Sequence, residues 1–490
     1  MGDKDESLSP AEEDPWGFLA VPKSARAPKE PGSPSTSAAA ESEVVPSARR
    51  ERGELRAPVA GASLKQRAWP MAAALAGIFF AGFITEVVAA SQMIALAGTK
   101  SLLIIYPLGG LGLIILGLAQ FRLVDGTARL KVLRYATLAY ALLFAIALVF
   151  IAGGLAPILA VGLIWILADQ VNYLLPLLVW SLAGDEFNVA EGRKIFGWLV
   201  TWTYVGQMLG LAVALATPVL LQGLNINLSW LLIISPIMCV ILALWLPRAL
   251  RDSSAAKGTG QRESLNESIK GAADFINGVP VWRSLMVAST LTFIAGTTVI
   301  MGYGVGIGDL VDRDAANLQI IFAGTWIVAL GICWGIQHFF AERIAERVGI
   351  PGTLIILPIA TAIAAIALAI GSAVGSIALL IVAIVIWRIP RWSLDENARR
   401  GALALVPDER RTRVSFLIDL TPVAVGLVVS APIVALGFAT GMLWLPGVVA
   451  VAIALVAIVF SRKVMKGWEE SLMNWRLRRR KQNRTMGLAE

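Results

Sequence analysis

The sequence predicts an all-α polytopic membrane protein with twelve transmembrane helices in two pseudo-symmetric six-helix bundles. The chain of 490 residues is 57% hydrophobic and only 16% charged, with a mean hydropathy of +0.71. A soluble domain of this composition could not cover its own surface. From about residue 69 to 462 the chain is a succession of apolar runs, each long enough to cross a bilayer. Two charged loops recur at equivalent places in both halves.

The chain divides into five predicted parts. Residues 1–66 are rich in Ser, Pro, Ala and Glu and predict a disordered tail without a signal-peptide pattern. Residues 67–250 and 282–463 are the two bundles, and 251–281 are a polar linker in which "ESLNESIKGAADFI" predicts a short amphipathic helix. Residues 464–490 are a basic amphipathic tail, which we expect to lie on an anionic leaflet or, alternatively, to be solvated.

Each apolar run predicts one span. The first six are 69–94, 101–120, 135–152, 156–183, 197–222 and 228–247. The second six are 284–306, 319–340, 353–371, 376–392, 412–438 and 441–462, and "WRIPRW" interrupts the tenth. With the N-terminus inside, the basic residues fall in the inside loops, whereas the outside loops hold only Lys100 and Arg313. The positive-inside rule therefore predicts that both termini are cytoplasmic, in a multi-pass protein of the cell membrane.

The charged loops indicate a duplicated unit. Arg122 in "RLVDGTARLKVL" aligns with Arg343 in "RIAERVGIPGTL", 221 residues later, and both loops join the second and third spans of their half. The loop "SLAGDEFNVAEGRKIFG" recurs in the same way as "SLDENARRGALALVPDERRTRVSF". Repeats at equivalent positions in both halves indicate a duplicated six-helix unit.

Six plus six spans and a charged repeat in the second-to-third loop resemble the major facilitator superfamily. The residues that match the family's loop motif are Asp125, Arg129 and Lys131 in the first copy and Arg343, Glu346 and Arg347 in the second. The resemblance implies a transporter whose two bundles rock about a central site, with these loops clamping the cytoplasmic faces together in one state. Asp125 is then expected to interact with the end of a helix across the bundle interface.

A shorter stretch, "FNVAEGRKIFGWL", is similar to the ATP/ADP-translocase-like branch of that superfamily. The matching residues are Glu191, Arg193, Lys194, Phe196 and Gly197. True nucleotide carriers place basic residues deep in the membrane, and predicted spans one to nine have none in their middle. A nucleotide or anion exchanger therefore stays an alternative rather than the first prediction.

Three carboxylic acids lie inside apolar runs: Glu86 in the first span, Asp169 in the fourth and Asp419 in the eleventh. Ionisable groups in hydrocarbon are costly, so each is a candidate functional residue. A carboxyl group in a medium of low dielectric can bind and release a proton near neutral pH. The alternative is a protonated carboxyl group that bonds between helices. In the resembled fold, spans one and four line the cavity.

Four further polar residues are candidates for contacting a solute, with interhelical hydrogen bonding as the alternative: Gln170, Asn172, Tyr173 and Gln207. Asp169, Asn172 and Tyr173 share one helix face by their spacing. Arg388 and Arg391 are expected to be interfacial anchors beside Trp387 and Trp392, with contact to an anionic substrate as the alternative.

The predicted function is secondary active transport of a small solute by rocker-switch alternating access, coupled to protons. A transport-inactive scaffold is the alternative of another class. With one histidine, two unpaired cysteines and no catalytic motif, we expect no enzyme activity, metal or cofactor. The expected partners are the lipid bilayer, the solute and a proton; we expect a monomer and no nucleic acid.

Overall fold

The computed structural model describes residues 63–126, 129–187, 189–222, 227–250, 265–403, 405–406 and 408–485. The predicted N-terminal tail lies almost entirely outside these residues, as does the first part of the linker. Residues 67–490 form one compact unit. Within the described part, twelve helices are long and apolar enough to cross a membrane, as predicted.

The first half contains six helices. They are α1 (Leu64–Ala97), α2 (Leu102–Gly126), α3 (Arg129–Ala152), α4 (Pro157–Glu186), α5 (Val189–Gln222) and α6 (Ile234–Ala249). The predicted amphipathic segment of the linker is α7 (Leu265–Gly278). We call the membrane face at which α1 begins the terminal face, and the opposite one the distal face.

The second half contains eight helices. They are α8 (Pro280–Leu310), α9 (Ala315–Phe339), α10 (Ala341–Thr353), α11 (Ile356–Val374), α12 (Ile377–Pro390), α13 (Glu396–Leu403), α14 (Asp408–Thr440) and α15 (Leu445–Thr485). The short α10 occupies the loop that repeats the charged motif.

The tenth span is longer than predicted. Instead of ending at Trp392, the chain continues from α12 through a π-helical turn at Arg391–Asp395 into α13. The span therefore runs from Ile377 to Leu403. A π turn lets a helix pass a proline without ending, because it relaxes the hydrogen-bond ladder that the proline ring disrupts.

The predicted C-terminal tail is not a separate helix. Residues 464–485 continue α15 without a break, and the placement of this basic segment on an anionic leaflet stays a prediction. Val464 and Trp468 pack with Trp282 of α8 and Ile418 of α14 in an apolar cluster at the terminal face.

In each half, glycines let the first and fifth helices cross with their backbones in contact. A Cβ atom on Gly206 or Gly210 of α5 would lie 2.2 or 2.5 Å from the carbonyl oxygens of Ala76 or Phe80 of α1. In the second half, a Cβ on Gly426 of α14 would lie 2.9 Å from a carbonyl oxygen of α8. The first and fifth helices of each half therefore meet in the same way, which is the structural counterpart of the sequence repeat.

Among the described residues, two helix pairs make the most extensive contacts between the halves. The first pair is α2 with α14 and the second is α5 with α9. Gly117 of α2 makes room for Leu420 of α14, whose Cδ2 atom would lie 2.6 Å from an added Cβ. These pairs enclose the helices α1, α4, α8 and α12, from which the polar side chains described next extend.

Candidate functional site

Glu86 of α1 and Asn172 of α4 are joined by a hydrogen bond in the interior of the first half. Asn172 Nδ2 donates to Glu86 Oε2 over 3.0 Å. The bond requires Gly82, because a Cβ there would lie 1.8 Å from Asn172 Oδ1. That oxygen has no hydrogen-bond partner among the described residues. Asn172 Oδ1 is therefore an acceptor without a partner among the described residues, and it lies beside the Glu86 carboxyl group.

Asp169 and Tyr173 extend the same site along α4. Both lie within one turn of Asn172, which is bonded to Glu86, so the three side chains lie in a common region. They lie deep among the spans, yet Glu86 and Asp169 keep some accessible surface and Tyr173 is 42% exposed. Side chains that are surrounded by protein and still accessible line an internal space. The sequence prediction that Asp169, Asn172 and Tyr173 share a face agrees with this arrangement.

Arg388 of α12 reaches this space from the second half. Its side chain is buried, and its guanidinium lies against the rings of Trp326 and Trp392, with the Cζ atom 4.2 Å from the Trp392 centroid. Trp392 in turn packs against Phe83 of α1, about one turn from Glu86, which brings the guanidinium to the side of the first half that carries this carboxyl group. The Arg388 Nε has no hydrogen-bond partner among the described residues. Arginine stacked on aromatic rings keeps its N–H groups free for a ligand in the ring plane.

The interpretation of Arg388 as an interfacial anchor is therefore wrong. It is the twelfth residue of a span that runs from Ile377 to Leu403, about 17 Å from its start. The sequence contained one signal: a span of 376–392 has only 17 residues, the lower limit for crossing a bilayer. Extending the predicted tenth span past Pro390 would have placed Arg388 in the membrane interior.

A second charged cluster follows on the π turn and α13. Asp395 forms ion pairs with Arg399 and, at 3.7 Å, with Arg391. Asp419 of α14 accepts a hydrogen bond from Ser415 Oγ at 3.0 Å and interacts electrostatically with Arg399. Asp419 thus belongs to this cluster rather than to the space that Glu86 lines.

The two remaining candidate amides are not hydrogen-bonded to Glu86 or Asp169 in the described part of the chain. Gln170 donates from Nε2 to the Gly109 carbonyl oxygen at 3.1 Å and joins α4 to α2. Gln207 is buried on α5 and makes no hydrogen bond with any described residue. The structure therefore brings Glu86, Asp169, Asn172 and Tyr173 together and adds Arg388, for which the sequence favoured an interfacial anchor over contact with a substrate.

The loop-motif residues lie on the terminal face. Arg129 Nη1 donates to the Ser181 carbonyl oxygen at 2.9 Å, and Glu191 pairs with Arg67 at 2.9 Å, both within the first half. Five others are exposed: Lys131, Lys194, Arg343, Glu346 and Arg347. The side chains of Asp125 and Arg193 lie outside the described residues.

Contacts between the halves close the distal side of the site. Thr99 Oγ1, in the turn between α1 and α2, donates to Asp309 Oδ1 at the end of α8 over 3.1 Å. Gln319 Nε2 of α9 donates to the Ala214 carbonyl oxygen of α5 over 2.7 Å. A Cβ on Gly308 would lie 2.6 Å from Thr99 Cγ2, so the turns meet at close range.

Contacts between the halves also lie on the terminal side. Tyr204 of α5 donates from its hydroxyl group to Gln337 Oε1 of α9 at 2.5 Å. The Arg400 guanidinium of α13 lies over the Trp180 ring of α4, 5.5 Å from its centroid. The Phe83 ring of α1 packs edge-on against Trp392 at 6.2 Å. In this conformation, contacts between the halves lie on both sides of the charged site.

Solved transporter structures share this fold. A POT family transporter aligns with a TM-score of 0.61 and 12% identity, over 83% of this chain and 99% of that one. A nucleoside transporter aligns with a TM-score of 0.56 and 15% identity, over 81% and 99%. The chain has the major facilitator superfamily fold.

A bacterial homologue of the human lysosomal transporter Spinster, in an inward-facing and unoccupied conformation, aligns with a TM-score of 0.54 and 16% identity, over 84% and 99%. No family model and no curated protein matches the sequence. At these identities the likeness shows the fold alone.

Proposed function

We propose that the protein is a secondary active transporter that moves a small solute by alternating access, with its solute and proton sites in the space lined by Glu86, Asp169 and Arg388. The observation that carries the proposal is the meeting of these charges from opposite halves. Rocking the halves would move Arg388 relative to both carboxyl groups, so solute binding and conformation are linked through one set of charges.

Charge balance supports coupling to protons. Arg388 interacts electrostatically with both Glu86 and Asp169. One guanidinium compensates one carboxylate, and a second carboxylate without a partner is costly in a medium of low dielectric. The second carboxyl group therefore has to bind either a proton or a cationic group of the solute. Competition between the two would couple solute movement to proton movement.

The recognition groups favour a polar solute. The Arg388 Nε and Asn172 Oδ1 atoms are a donor and an acceptor without partners among the described residues. Trp392 and Tyr173 add aromatic surface on either side. We therefore propose a solute with an anionic or carbonyl group for Arg388 and a donor or cationic group for the α4 side.

The distribution of basic residues indicates how the protein is oriented in the membrane. The described terminal-face segments carry Arg129, Lys131, Arg248, Arg343 and Lys463, whereas the distal turns carry Lys100 and Arg313. The positive-inside rule supports a cytoplasmic terminal face, with both termini on that side.

The test is proton movement in liposomes that contain the purified full chain. Candidate solutes are added to the wild type, Glu86→Gln, Asp169→Asn and, as a control outside the site, Glu469→Gln, an exposed residue of α15. We expect a solute-dependent proton signal that both site variants lose and the control keeps. Absence of a signal for a broad solute panel, from protein shown to be folded, would contradict the proposal.

An anion exchanger is the second candidate, and the buried Arg388 is the observation that favours it. An exchanger would show counterflow of labelled anion against unlabelled anion without net proton movement. Counterflow that survives Glu86→Gln and Asp169→Asn but is lost in Arg388→Met would select this alternative.

A further inference from the structure

A groove of about 340 Å³ lies between α8 and α15 at the terminal face, outside the charged site. Its walls include Arg283, Ser284 and Val287 of α8 and Phe460, Lys463 and Gly467 of α15. We call it the α8–α15 groove. None of these residues takes part in the proposed transport site.

Helix geometry orders the groove along the membrane normal. On α15, Phe460, Lys463 and Gly467 follow one another at steps of three and four residues, so they form one stripe. On α8, Arg283 and Val287 are one turn apart. Because α8 leaves the terminal face and α15 returns to it, Val287 and Phe460 lie on the membrane side. Arg283 and Lys463 lie about 5 Å nearer the terminal face.

The terminal-face end of the groove is closed, and the membrane end continues onto an apolar surface. A Cβ on Gly467 would lie 2.9 Å from Val281 Cγ2, so the helices touch there. In the other direction the stripe on α15 continues to Val456, an apolar side chain that is 47% exposed. An exposed valine on a membrane span faces lipid chains.

Two cations without an ion-pair partner among the described residues lie at the middle of the groove. Arg283 and Lys463 are both exposed, and neither forms an ion pair with another described residue. Lys463 Nζ lies 4.6 Å from the centroid of the Phe460 ring, which places the ammonium at the end of the apolar wall. A ligand that complements the groove has a negative charge at this level and hydrocarbon on its membrane side.

We propose that the α8–α15 groove binds an anionic phospholipid, with the phosphate between Arg283 and Lys463 and an acyl chain along Val287 and Phe460. Basic pockets between transmembrane helices at a membrane boundary bind lipid headgroups in this way. The apolar wall is the reason for choosing a lipid over a soluble phosphate, which would leave Val287 and Phe460 without a partner. The site does not depend on transport.

The test measures lipid binding to the delipidated full chain by native mass spectrometry. The ligands are dioleoyl phosphatidylglycerol, dioleoyl phosphatidylcholine and inorganic phosphate. The site variant is Arg283→Gln with Lys463→Gln. The matched control, Arg248→Gln with Arg462→Gln, removes two exposed basic residues elsewhere on the terminal face.

We expect the first phosphatidylglycerol to bind the site variant about tenfold more weakly than the wild type, and the control within about twofold. Arg283→Lys with Lys463→Arg should keep the affinity. If the double variant does not fold, Lys463→Gln alone should still bind more weakly than Arg462→Gln.

Three results would overturn the proposal. Equal weakening in the site and control variants would mean general surface electrostatics. Equal affinity for phosphatidylcholine would remove the role of the net negative charge. Displacement of phosphatidylglycerol by millimolar inorganic phosphate would assign the site to a soluble anion.

Discussion

Asn172 donates a hydrogen bond from Nδ2 to Oε2 of Glu86 over 3.0 Å, linking α4 to α1 beside Asp169. This bond fixes a carboxyl group at the centre of the first half, and it exists only because residue 82 has no side chain. Variants at this contact therefore test the proposed site directly.

Gly82→Ala should abolish solute-dependent proton movement. The new Cβ would lie 1.8 Å from Asn172 Oδ1, so Asn172 must move and the bond to Glu86 is lost. Overpacking of this kind costs about 1–3 kcal/mol of stability. The measurements are the thermal unfolding midpoint and the proton signal in liposomes. Gly184→Ala, on α4, has no atom within 4 Å of its added Cβ and should lower neither the midpoint nor the proton signal.

Arg388 and Glu86 should be energetically coupled. Arg388→Met leaves two carboxyl groups without a guanidinium, and loss of one partner of a buried pair costs about 3–5 kcal/mol. Glu86→Gln should recover part of that cost. We expect a coupling free energy of about 2 kcal/mol in a double-mutant cycle measured by SDS-induced unfolding.

The control cycle combines Arg388→Met with Asp309→Asn, which lies at the distal end of α8. It should be additive within about 0.5 kcal/mol. Additivity in the Glu86 cycle as well would mean that Arg388 does not compensate that carboxyl group.

The distal contact between Thr99 and Asp309 should open in each transport cycle. Replacing both residues with cysteine, in a chain whose buried Cys239 and Cys333 are changed to alanine, allows a disulfide to lock that contact. We expect transport to stop on oxidation and to return on reduction, whereas Asp309→Cys alone is insensitive to both. Full transport by the cross-linked protein would show that this face stays closed throughout.

The terminal-side contact should set a conformational equilibrium. Tyr204→Phe removes the hydroxyl group that bonds Gln337 between α5 and α9, and a hydrogen bond contributes about 0.5–1.5 kcal/mol. The population opened at the terminal face should rise about 2- to 12-fold. Electron–electron distances between spin labels at Thr201 and Phe339 report it, in the chain without native cysteines.

The matched control is Tyr135→Phe, since Tyr135 is 66% exposed on α3. Its distance distribution should equal that of the parent chain. An unchanged distribution in Tyr204→Phe would show that the bond contributes nothing to closure.

The twelve spans and the repeat were predictable from sequence, because apolar length and charge alternation are properties of the chain alone. The grouping of Asp169, Asn172 and Tyr173 followed from helix periodicity. The role of Arg388 did not follow from the sequence, because "WRIPRW" has the composition of a membrane boundary. Only the π turn shows that the helix continues past this segment. The separation of Asp419 from Glu86 was also hidden, since it depends on which helices pack together.

The most direct test of the central claim counts protons during solute binding. For a solute found in the liposome screen, calorimetry in buffers of different ionisation enthalpy gives the protons exchanged per solute bound. We predict about one proton for the wild type and none for Glu86→Gln or Asp169→Asn. The same proton count in all three proteins would contradict the claim that these carboxyl groups couple solute to protons.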